Sequence, residues 1–594
     1  MVAIVSGNSL GLSLTSLATL GQQGAMGSPV QGRSGEQAYV NMANGNLVLQ
    51  RRDDFLTGVG QSIDAVRTYN SQGRLSDDNA DNWSLGIFSQ PLQSSGALNT
   101  AGSSITRTAS DGGQSVYSFD SSRSLYVSTD GAGAYNTIRY DSANSQYVWT
   151  DGTTGTQERY EANSNAKLLS RTDVNGNAIN YSYNANGLVS GVTDASGETT
   201  NYDYSGNNLI QIRVVAQGGV TSTRVHYSYD SGNRLSRVTV DFSPSDNSTA
   251  DGKTYISNYT YDGASNRVAS VVQTDGTRLD IAYVQIGSDY RVATVSDGLG
   301  QSTSYAYDLA NRSTTVTDPL GLVCSYSYDG LGQLTQLHTG VTTSKPNGLT
   351  QRLFSYDTRG NVIALTDGLG HSINLQYDAN GNQTLKYDPL GNTVASTYNS
   401  QNQLLTETVS GTTGPGTSAT LALTARNVYD TGGKNLLRFR ISAEGRVTEY
   451  RYNSLGLRTS SIGYTAAVYA VSGLGATAAP NETQMQAWAL AQDPGQTERS
   501  DMAYDFRGQL AAVSTYGSID SLGVTSQTTT TQFIYSQAGE LLQTIQPNTG
   551  SVTQHVYDGL GRVILTVAPF RRRYREQDGN QLRRRRRADH LHTG

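Results

Sequence analysis

The chain has 594 residues, with 64 glycines, 37 tyrosines against 9 phenylalanines, a formal net charge of -6 and one cysteine. A hydrophobic fraction of 36% and a charged fraction of 15% are too polar for a membrane protein and too weakly charged for a coiled coil or a disordered tail. The single cysteine excludes an internal disulfide. We therefore predict an all-β, turn-rich, extended architecture.

The N-terminal segment, residues 1–35, is mildly apolar and has no positively charged leader. We expect it to be flexible and not to act as a clear Sec signal peptide. No run of 18 apolar residues occurs anywhere in the chain, so we expect no membrane-spanning helix. Residues 36–165 precede the repeats and are predicted to form a β-rich N-terminal region.

A repeat dominates residues 166–568. Each copy has a tyrosine followed by Asp or Asn, a short Gly/Asn turn and an aliphatic residue, as in YDGLGQL at Tyr328 and YDTRGNV at Tyr356. Nine of the fourteen spacings between successive anchors fall between 21 and 25 residues, which sets the period. The anchor tyrosines are Tyr183, Tyr204, Tyr229, Tyr261, Tyr283, Tyr307, Tyr328, Tyr356, Tyr377, Tyr398, Tyr429, Tyr452, Tyr504, Tyr535 and Tyr557.

Each copy is predicted to be a β-hairpin. A second tyrosine often stands two residues before the anchor, which places both rings on one face of a strand. The Asp can accept a backbone N–H two residues on, and the Gly supplies the positive φ of the reversal. The residues predicted to build the motif are Tyr183, Tyr204, Tyr229, Asp230, Tyr261, Asp262, Tyr307, Asp308, Tyr328, Asp329, Tyr356, Asp357, Gly360, Tyr377, Asp378, Gly381, Tyr504, Asp505, Gly508, Tyr557, Asp558 and Gly561.

Tyrosine at the anchor indicates a half-wet face, because a phenol must find a hydrogen-bond partner or water. Some thirty twisted strands cannot form a flat sheet. We therefore expect a long sheet that curls into a wall around a space.

Two segments interrupt the repeats. Residues 407–420 are rich in Gly, Ser and Thr and are predicted to be a loop. Within a helical insertion at 465–500, the sequence predicts one short helix near 481–493, capped by Asn481, with Met485, Trp488 and Ala489 on one face.

The last residues, 569–594, are rich in arginine and break both the composition and the pattern. One interpretation is a basic arm for nucleic acid or acidic surfaces. The other, which we favour, is a slipped reading frame, so that the tail is out of frame and disordered. The rest of the chain carries 34 basic and 46 acidic residues, which argues against a nucleic-acid partner.

These repeats resemble those of the bacterial Rhs and YD-repeat family, which includes the teneurin-like YD shells, over about two thirds of the chain. The block YVNMANGNLVLQRRDDF at Tyr39–Phe55 is similar to the region that precedes the repeats in many members. The resemblance implies a hollow spiral shell that encloses a C-terminal toxin or presents a surface for adhesion. It also implies a core and a toxin domain after the repeats, which we expect the frameshift to have removed.

Some members of that family cut themselves at a D-P-x-G site. Asp318-Pro319-Leu320-Gly321 and Asp388-Pro389-Leu390-Gly391 match it superficially but occupy ordinary turn positions, so we interpret them as turns. Asp173–Asn177 could offer oxygen ligands to calcium but lacks the spacing of a full loop, and Cys324 is predicted to be a small buried hydrophobe.

We therefore expect a structural and interaction protein, not an enzyme, with no catalytic residue, no metal site and no cofactor. The resemblance implies a shell of a secreted or cell-surface Rhs-type protein used for toxin encapsulation and delivery in bacterial competition, lacking its effector. The alternative is a carbohydrate-binding surface adhesin. The expected partners are an encapsulated toxin polypeptide or a cell-surface glycan; the sequence leaves the toxin, the target cell and the secretion route open.

Overall fold

A computed structural model describes residues 2–12, 28–33, 35–73, 79–86, 92–128, 135–163, 166–215, 219, 221–244, 248–345, 348–412, 420–536, 538–547 and 550–568. The predicted Arg-rich tail, residues 569–594, lies outside the described residues.

A six-stranded N-terminal sheet opens the chain. Its strands are β1 (Ala3–Val5), β2 (Val30–Gln31), β3 (Glu36–Asn41), β4 (Leu47–Leu56), β5 (Ile63–Asn70) and β6 (Trp83–Ser84). The strand order is β1-β3-β4-β5-β6, with β2 also paired to β3.

The expectation that residues 1–35 are flexible is wrong for β1. This strand pairs in parallel with β3, and Ala3, Ile4 and Val5 are at most 1% exposed. The physical reason is that four consecutive apolar residues, Val2–Val5, are buried from both faces, so that their apolar area holds the segment in place.

A second sheet of 38 strands takes up the rest of the described chain. Its first half is β7 (Gln93–Ser95), β8 (Ser104–Thr108), β9 (Gln114–Asp120), β10 (Leu125–Ser128), β11 (Thr137–Asp141), β12 (Gln146–Thr150), β13 (Gln157–Glu161), β14 (Leu168–Thr172), β15 (Ala178–Tyr183), β16 (Val189–Thr193), β17 (Thr199–Ser205), β18 (Asn208–Val215), β19 (Thr221–Tyr229), β20 (Leu235–Asp241), β21 (Thr254–Tyr261), β22 (Val268–Gln273), β23 (Arg278–Ile286), β24 (Asp289–Asp297) and β25 (Ser302–Asp308). Its second half is β26 (Ser313–Thr317), β27 (Val323–Tyr328), β28 (Leu334–Thr339), β29 (Leu349–Tyr356), β30 (Val362–Asp367), β31 (Ser372–Tyr377), β32 (Gln383–Tyr387), β33 (Thr393–Tyr398), β34 (Leu404–Thr412), β35 (Thr420–Tyr429), β36 (Leu437–Ile441), β37 (Arg446–Tyr452), β38 (Arg458–Val468), β39 (Thr497–Tyr504), β40 (Leu510–Ile519), β41 (Thr525–Tyr535), β42 (Leu541–Ile545), β43 (Val552–Tyr557) and β44 (Val563–Val567).

Every strand of this large sheet pairs antiparallel with its neighbours in sequence, from β7–β8 to β43–β44. Among the described residues no ladder joins β44 back to β7, so the sheet is open. The prediction of one long all-β sheet of hairpins is therefore confirmed.

The large sheet begins at Gln93, well before the predicted start of the repeats at residue 166. Strands β8–β13 continue the same hairpin pairing, and β11 already ends in a tyrosine–aspartate pair, Tyr140-Asp141. Strands β34 and β35 also extend into the predicted loop 407–420 and pair as far as Thr412 and Thr420. Only residues 413–419 separate these strands, and they lie outside the described part of the chain.

The predicted short helix is present as α1 (Glu482–Leu490), followed by a short 3₁₀ helix, Pro494–Gln496. The Asn481 side chain accepts from the Gln484 amide, and the Gln484 side chain accepts from the Asn481 amide, which completes a capping box. Because β38 runs to Val468 and β39 begins at Thr497, the insertion is shorter than the expected 465–500.

The insertion covers an apolar patch on the outer side of the sheet. Met485 is fully buried in a cluster with Val428, Phe439 and Ile462. Val428 stands next to the anchor Tyr429, and neighbouring strand residues point to opposite faces. The helix therefore lies on the face opposite to the anchor tyrosines.

The N-terminal sheet packs on the face that carries the anchor tyrosines, which we call the tyrosine face. The Trp83 ring lies 4.8 Å from the Tyr259 ring and 4.9 Å from the Tyr69 ring, within a core that extends to Phe354. Beyond β30 the anchor tyrosines are mostly half-buried. One part of the tyrosine face is thus covered by the N-terminal sheet, and the other part is open.

The turns of the large sheet form two rows, because sequential antiparallel strands reverse alternately at its two edges. Row A contains the turns that follow an anchor tyrosine, from odd to even strands, and row B contains the turns that join one hairpin to the next. Row A turns of β31–β44 lie on row B turns of β10–β21, and we call this line of contacts the seam.

Contacts along the seam are close. The side-chain amide of Asn402 donates to the Gly152 carbonyl at 2.9 Å. The side-chain amide of Asn177 donates to the Leu455 carbonyl at 3.1 Å. A Cβ on Gly559 would lie 2.3 Å from the Asp241 carbonyl oxygen. The sheet therefore winds round as a spiral and returns onto its own edge after a little more than twenty strands.

Candidate functional site

The anchor tyrosines hold successive hairpins together by hydrogen bonds. The phenol of Tyr307 donates to the Val292 carbonyl at 2.8 Å, across to the return strand of the preceding hairpin. Eleven anchors make this bond, at 2.6–3.0 Å: Tyr183, Tyr261, Tyr283, Tyr307, Tyr356, Tyr377, Tyr398, Tyr429, Tyr452, Tyr504 and Tyr557. This repeated bond explains why the position needs a phenol and not a phenylalanine ring.

Next to most anchor tyrosines a β-bulge interrupts the ladder, at the residue whose carbonyl accepts the phenol of the next repeat. The register shifts between Ser355 and Tyr356 and in the same place at Tyr377. A bulge leaves one residue of the ladder unpaired and turns the strand locally. Each repeat thus opens its ladder at the point where the tyrosine of the next repeat binds.

Tyr307 and Tyr305 provide a matched test, because they lie two residues apart on β25. We expect Tyr307→Phe to lower the free energy of unfolding by about 0.5–1.5 kcal/mol, since it removes a hydrogen bond to a backbone carbonyl. The buried Tyr305 hydroxyl has no partner among the described residues, so Tyr305→Phe should cause no loss. Urea denaturation of both variants measures the difference; equal losses would contradict the role of the phenol.

The residue after each anchor caps the row A turn. One oxygen of Asp357 accepts from the Arg359 amide at 2.8 Å and from the Asn361 amide at 2.9 Å. Gly360 has φ +80°, which an L side chain rarely adopts. Asp230, Asp329, Asp378, Asp505 and Asp558 accept two amides in the same way.

Other motif residues depart from this scheme. Asp262 instead binds the Arg267 guanidinium, and Asp308 accepts the amide and side chain of Asn311. The buried hydroxyl of Tyr328 has no hydrogen bond in the described residues. Tyr204 and Tyr229 do have interactions and pack against the core.

From the turn carboxylates we predict that the free energy of unfolding decreases in acid. Burial opposes the ionisation of Asp357, but hydrogen bonds from Asn361 and from the backbone outweigh it and hold the pKa of Asp357 below its usual value. The pKa of Asp230 is lowered in the same manner, by Arg234 and backbone amides against burial. The stabilisation is therefore complete above the unfolded pKa of about 3.9 and is lost as the pH falls through the lower folded value.

We expect the midpoint temperature of thermal unfolding to decrease as the pH is lowered from neutral to about 3. The chain offers a control, since Asn399 already caps its turn by accepting the Gln401 and Gln403 amides. Asp357→Asn should keep its turn and reduce the acid-induced fall, because an amide does not titrate there. A midpoint that is flat with pH, in a circular dichroism melt, would contradict this account.

A buried charge cluster joins the N-terminal sheet to the large sheet. The Arg67 guanidinium, 1% exposed, binds the Asp53 carboxylate at 2.7 Å and the Tyr259 hydroxyl at 3.0 Å. The Tyr259 hydroxyl donates to Glu36 at 2.7 Å, and that of Tyr227 donates to Asp53 at 2.8 Å. Two tyrosines of the large sheet thus bind carboxylates of the N-terminal sheet.

Sequence reasoning did not identify this cluster. The run Arg51-Arg52-Asp53-Asp54 lies inside a strand whose other residues, apart from Gln50, are apolar, and this is the signal that could have indicated buried charges. Arg507 and Glu198 were also missed. They form a two-pronged ion pair across the seam, at 2.6 and 2.9 Å, between residues 309 positions apart.

The sites that we interpreted as turns have the geometry of turns. Asp318 accepts the Leu320 and Leu322 amides. Asp173 accepts the Asn175 and Asn177 amides. Cys324 is 1% exposed, and burial raises the pKa of its thiol.

Among the described residues, no three His, Cys, Asp or Glu side chains come close enough together to hold a metal ion. In the same part of the chain, no helix has the length and apolarity required to cross a membrane.

Comparison with known proteins gives one family. The RHS repeat profile matches residues 167–199, 183–221, 291–323 and 314–344, which lie in the hairpins described above. No curated protein sequence matches the chain significantly.

Solved structures similar to the chain include two toxin assemblies. The crystal structure of TcdB2-TccC3 without its hypervariable C-terminal region is 10% identical, with a TM-score of 0.35, covering 88% of this chain and 31% of that one. A structure of the Photorhabdus luminescens Tc holotoxin pore is 11% identical, with a TM-score of 0.26, covering 88% of this chain and 30% of that one. The chain thus spans about a third of the length of these proteins.

Proposed function

This chain is an RHS-repeat protein, and from that premise we propose that its structural role is to form the wall of a container for another polypeptide. The container is that of a secreted or cell-surface protein which encloses a toxin and delivers it in bacterial competition. The wall acts by enclosure and contact, and not by catalysis.

The observation that supports the proposal is the seam. Row A turns from β31 onward lie against row B turns of strands twenty-one to twenty-three places earlier. At about 4.8 Å between strands, one turn of the spiral has a circumference on the order of 100 Å and a width of about 30 Å. The open tyrosine face beyond β30 then borders a space that suits an unfolded or small polypeptide.

The chemistry of the open tyrosine face suits transient contact with a chain of varied sequence. Its phenols already donate to backbone carbonyls, as Tyr377 does to Val362 and Tyr452 to Leu437. At these anchors the rings offer apolar surface with their donors already engaged, so contacts with a cargo would be weak and sequence-tolerant.

A reporter fusion tests the proposal. A small protease-sensitive reporter joined after Ala568 should be cut much more slowly than the same reporter joined before Met1, since the first would enter the container. Both fusions must show the same melting curve. Equal cleavage rates at the two ends would refute enclosure.

The alternative of a carbohydrate-binding adhesin stays a prediction. It rests on exposed tyrosines, whereas the anchor rings of the described residues are at least half-buried for the most part and their hydroxyls are engaged by the protein itself. A glycan array with the purified chain would test it.

A further inference from the structure

The loop that joins β4 to β5 reaches the seam. It comprises residues 57–62, Thr-Gly-Val-Gly-Gln-Ser, and we call it the clasp. The seam brings together a first winding, with strands up to β30, and a second winding from β31 onward, whereas the clasp belongs to the N-terminal sheet. Val59, at the centre of the clasp, is 5% exposed. A third part of the molecule therefore takes part in the contact between the two windings.

The clasp packs against two row B turns of the first winding. A Cβ on Gly58 would lie 2.7 Å from Oδ2 of Asp194. A Cβ on Gly60 would collide with the carboxylate of Asp173. Both glycines thus allow the backbone of the clasp to approach these turns more closely than any other residue could.

The clasp also packs against two row A turns of the second winding. A Cβ on Gly508 would lie 3.4 Å from the Cα of Val59 and 3.6 Å from its Cγ2. A Cβ on Gly539 would collide with the hydroxyl of Thr57. The clasp is therefore held between the two windings and contacts four of their turns.

Packing alone holds the clasp in this place. In the part of the chain that the structure describes, no hydrogen bond or ion pair joins it to the four turns. The Gln61 amide donates to the Val59 carbonyl at 2.9 Å, within the clasp itself. The side-chain oxygen and nitrogen of Gln61 are buried without a hydrogen-bond partner there, which is unfavourable. Withdrawal would return this amide group to water.

The clasp lies beside both partners of the ion pair that crosses the seam. Glu198 belongs to the turn that meets Gly58, and its amide donates to the Asp194 carboxylate at 3.0 Å. Arg507 directly precedes Gly508 in the turn that meets the clasp. The side chains of Glu198 and Arg507 are 0% and 13% exposed. The clasp thus stands next to an ion pair that water hardly reaches.

Movement of the clasp would leave no charge without its partner. None of its residues is charged. Apart from Glu198, the carboxylates of the four turns are bound within their own turns: those of Asp173, Asp194 and Asp505 accept backbone amides, and that of Glu540 accepts the Ser536 hydroxyl. These bonds stay intact whether the clasp is seated or withdrawn.

We infer that the clasp is a latch for the seam: while it is seated it keeps water from the Arg507–Glu198 pair, and its withdrawal lets the two windings part at this point. Removing one partner from a buried pair leaves the other buried without its counter-charge, so a buried pair resists separation. An exposed pair contributes little and is screened by salt. Movement of one uncharged loop therefore changes the strength of the seam, whether or not the container encloses a polypeptide.

Hydrogen exchange of the full-length chain, at low and at high salt, tests this inference. Gly58→Ala should unseat the clasp, because the new Cβ would lie 2.6 Å from the Gln61 carbonyl oxygen and 2.7 Å from Asp194 Oδ2. We expect exchange at the turns of Glu198 and Arg507 to become at least about tenfold faster. High salt should accelerate it further in this variant but not in the unchanged chain.

A second variant and a control separate the latch from a general loss of stability. Val59→Ser removes the apolar contact without a collision and should also accelerate exchange at these turns at least about tenfold. The matched control is Gly330→Ala, in a row A turn of the first winding, since a Cβ on Gly330 has no atom within 4 Å. The control should exchange as the unchanged chain does. Exchange in the centre of β4 should be the same in all four proteins.

A double variant identifies the ion pair as the group that the clasp protects. When Arg507→Met is already present, Gly58→Ala should change exchange by less than about twofold, because the pair is already broken. Two results would overturn the inference. The first is that Gly58→Ala and Val59→Ser leave the turns as protected as in the control. The second is that Gly58→Ala accelerates exchange equally at both salt concentrations and with or without Arg507, which would mean that the clasp acts by packing alone.

Discussion

Replacing Arg67 by methionine should lower the stability of the packed N-terminal sheet by about 3–5 kcal/mol, since it removes one partner of a buried ion pair. Arg67 and Asp53 are both 1% exposed in their side chains and are 2.7 Å apart. Methionine fills similar space but removes the close partner of the buried Asp53 carboxylate and leaves only Arg51, whose Nε lies 3.9 Å from it. Water cannot reach that carboxylate, so most of its desolvation is no longer offset.

The guanidinium of Arg67 also lies 4.7 Å from the Trp83 ring centroid. Fluorescence of Trp83 during urea denaturation, with Trp149 and Trp488 replaced by phenylalanine, therefore reports this part of the protein. The control is Arg52→Met, which breaks a pair with Asp64 in which the arginine side chain is 59% exposed. Exposed pairs contribute about 0–1 kcal/mol, so a loss in Arg67→Met no larger than in the control would disprove the role of the cluster.

The second large effect is expected at the seam, from Arg507→Met. The Glu198 side chain is 0% exposed and binds Arg507 at 2.6 Å, and its hydrogen bonds raise the pKa of the guanidinium. Without Arg507 the buried carboxylate loses its cation, at a cost of about 3 kcal/mol or more. The two windings should then separate locally at this point.

Hydrogen exchange locates that effect. We expect faster exchange at the turns that contain Glu198 and Arg507, with unchanged protection in the N-terminal sheet. Arg499→Met is the control, because Arg499 pairs with Asp501 on its own strand, 2.8 Å away, and not across the seam. If both variants exchange alike, the ion pair does not hold the windings together.

The repeating part of the fold was predictable because its information is local. An aspartate or asparagine, a glycine three residues later and an alternating strand encode each hairpin, as at Asp357 and Gly360. The helix was predictable for the same reason, from Asn481 and the apolar face of Met485 and Trp488. Most of the predicted motif residues that make hydrogen bonds do so with backbone groups of their own turn or of the preceding hairpin.

The rest depends on contacts between distant parts of the chain, which no local pattern contains. The pairing of β1 with β3, the packing of the N-terminal sheet and the seam all follow from how far the large sheet curves. Curvature is the sum of small strand twists, so an error in each strand would shift Glu198 away from Arg507. The expectation that residues 1–35 are flexible was wrong for β1 for this reason.

Each strand of the large sheet pairs only with the strands that precede and follow it in sequence, and this has a consequence for synthesis on the ribosome. Ribosomes add about 5–20 residues per second, whereas a hairpin forms in about 1–10 μs. Each repeat can therefore join the growing sheet before the next one has emerged. The first winding is then complete when β31 appears, and it can serve as the template on which the second is laid.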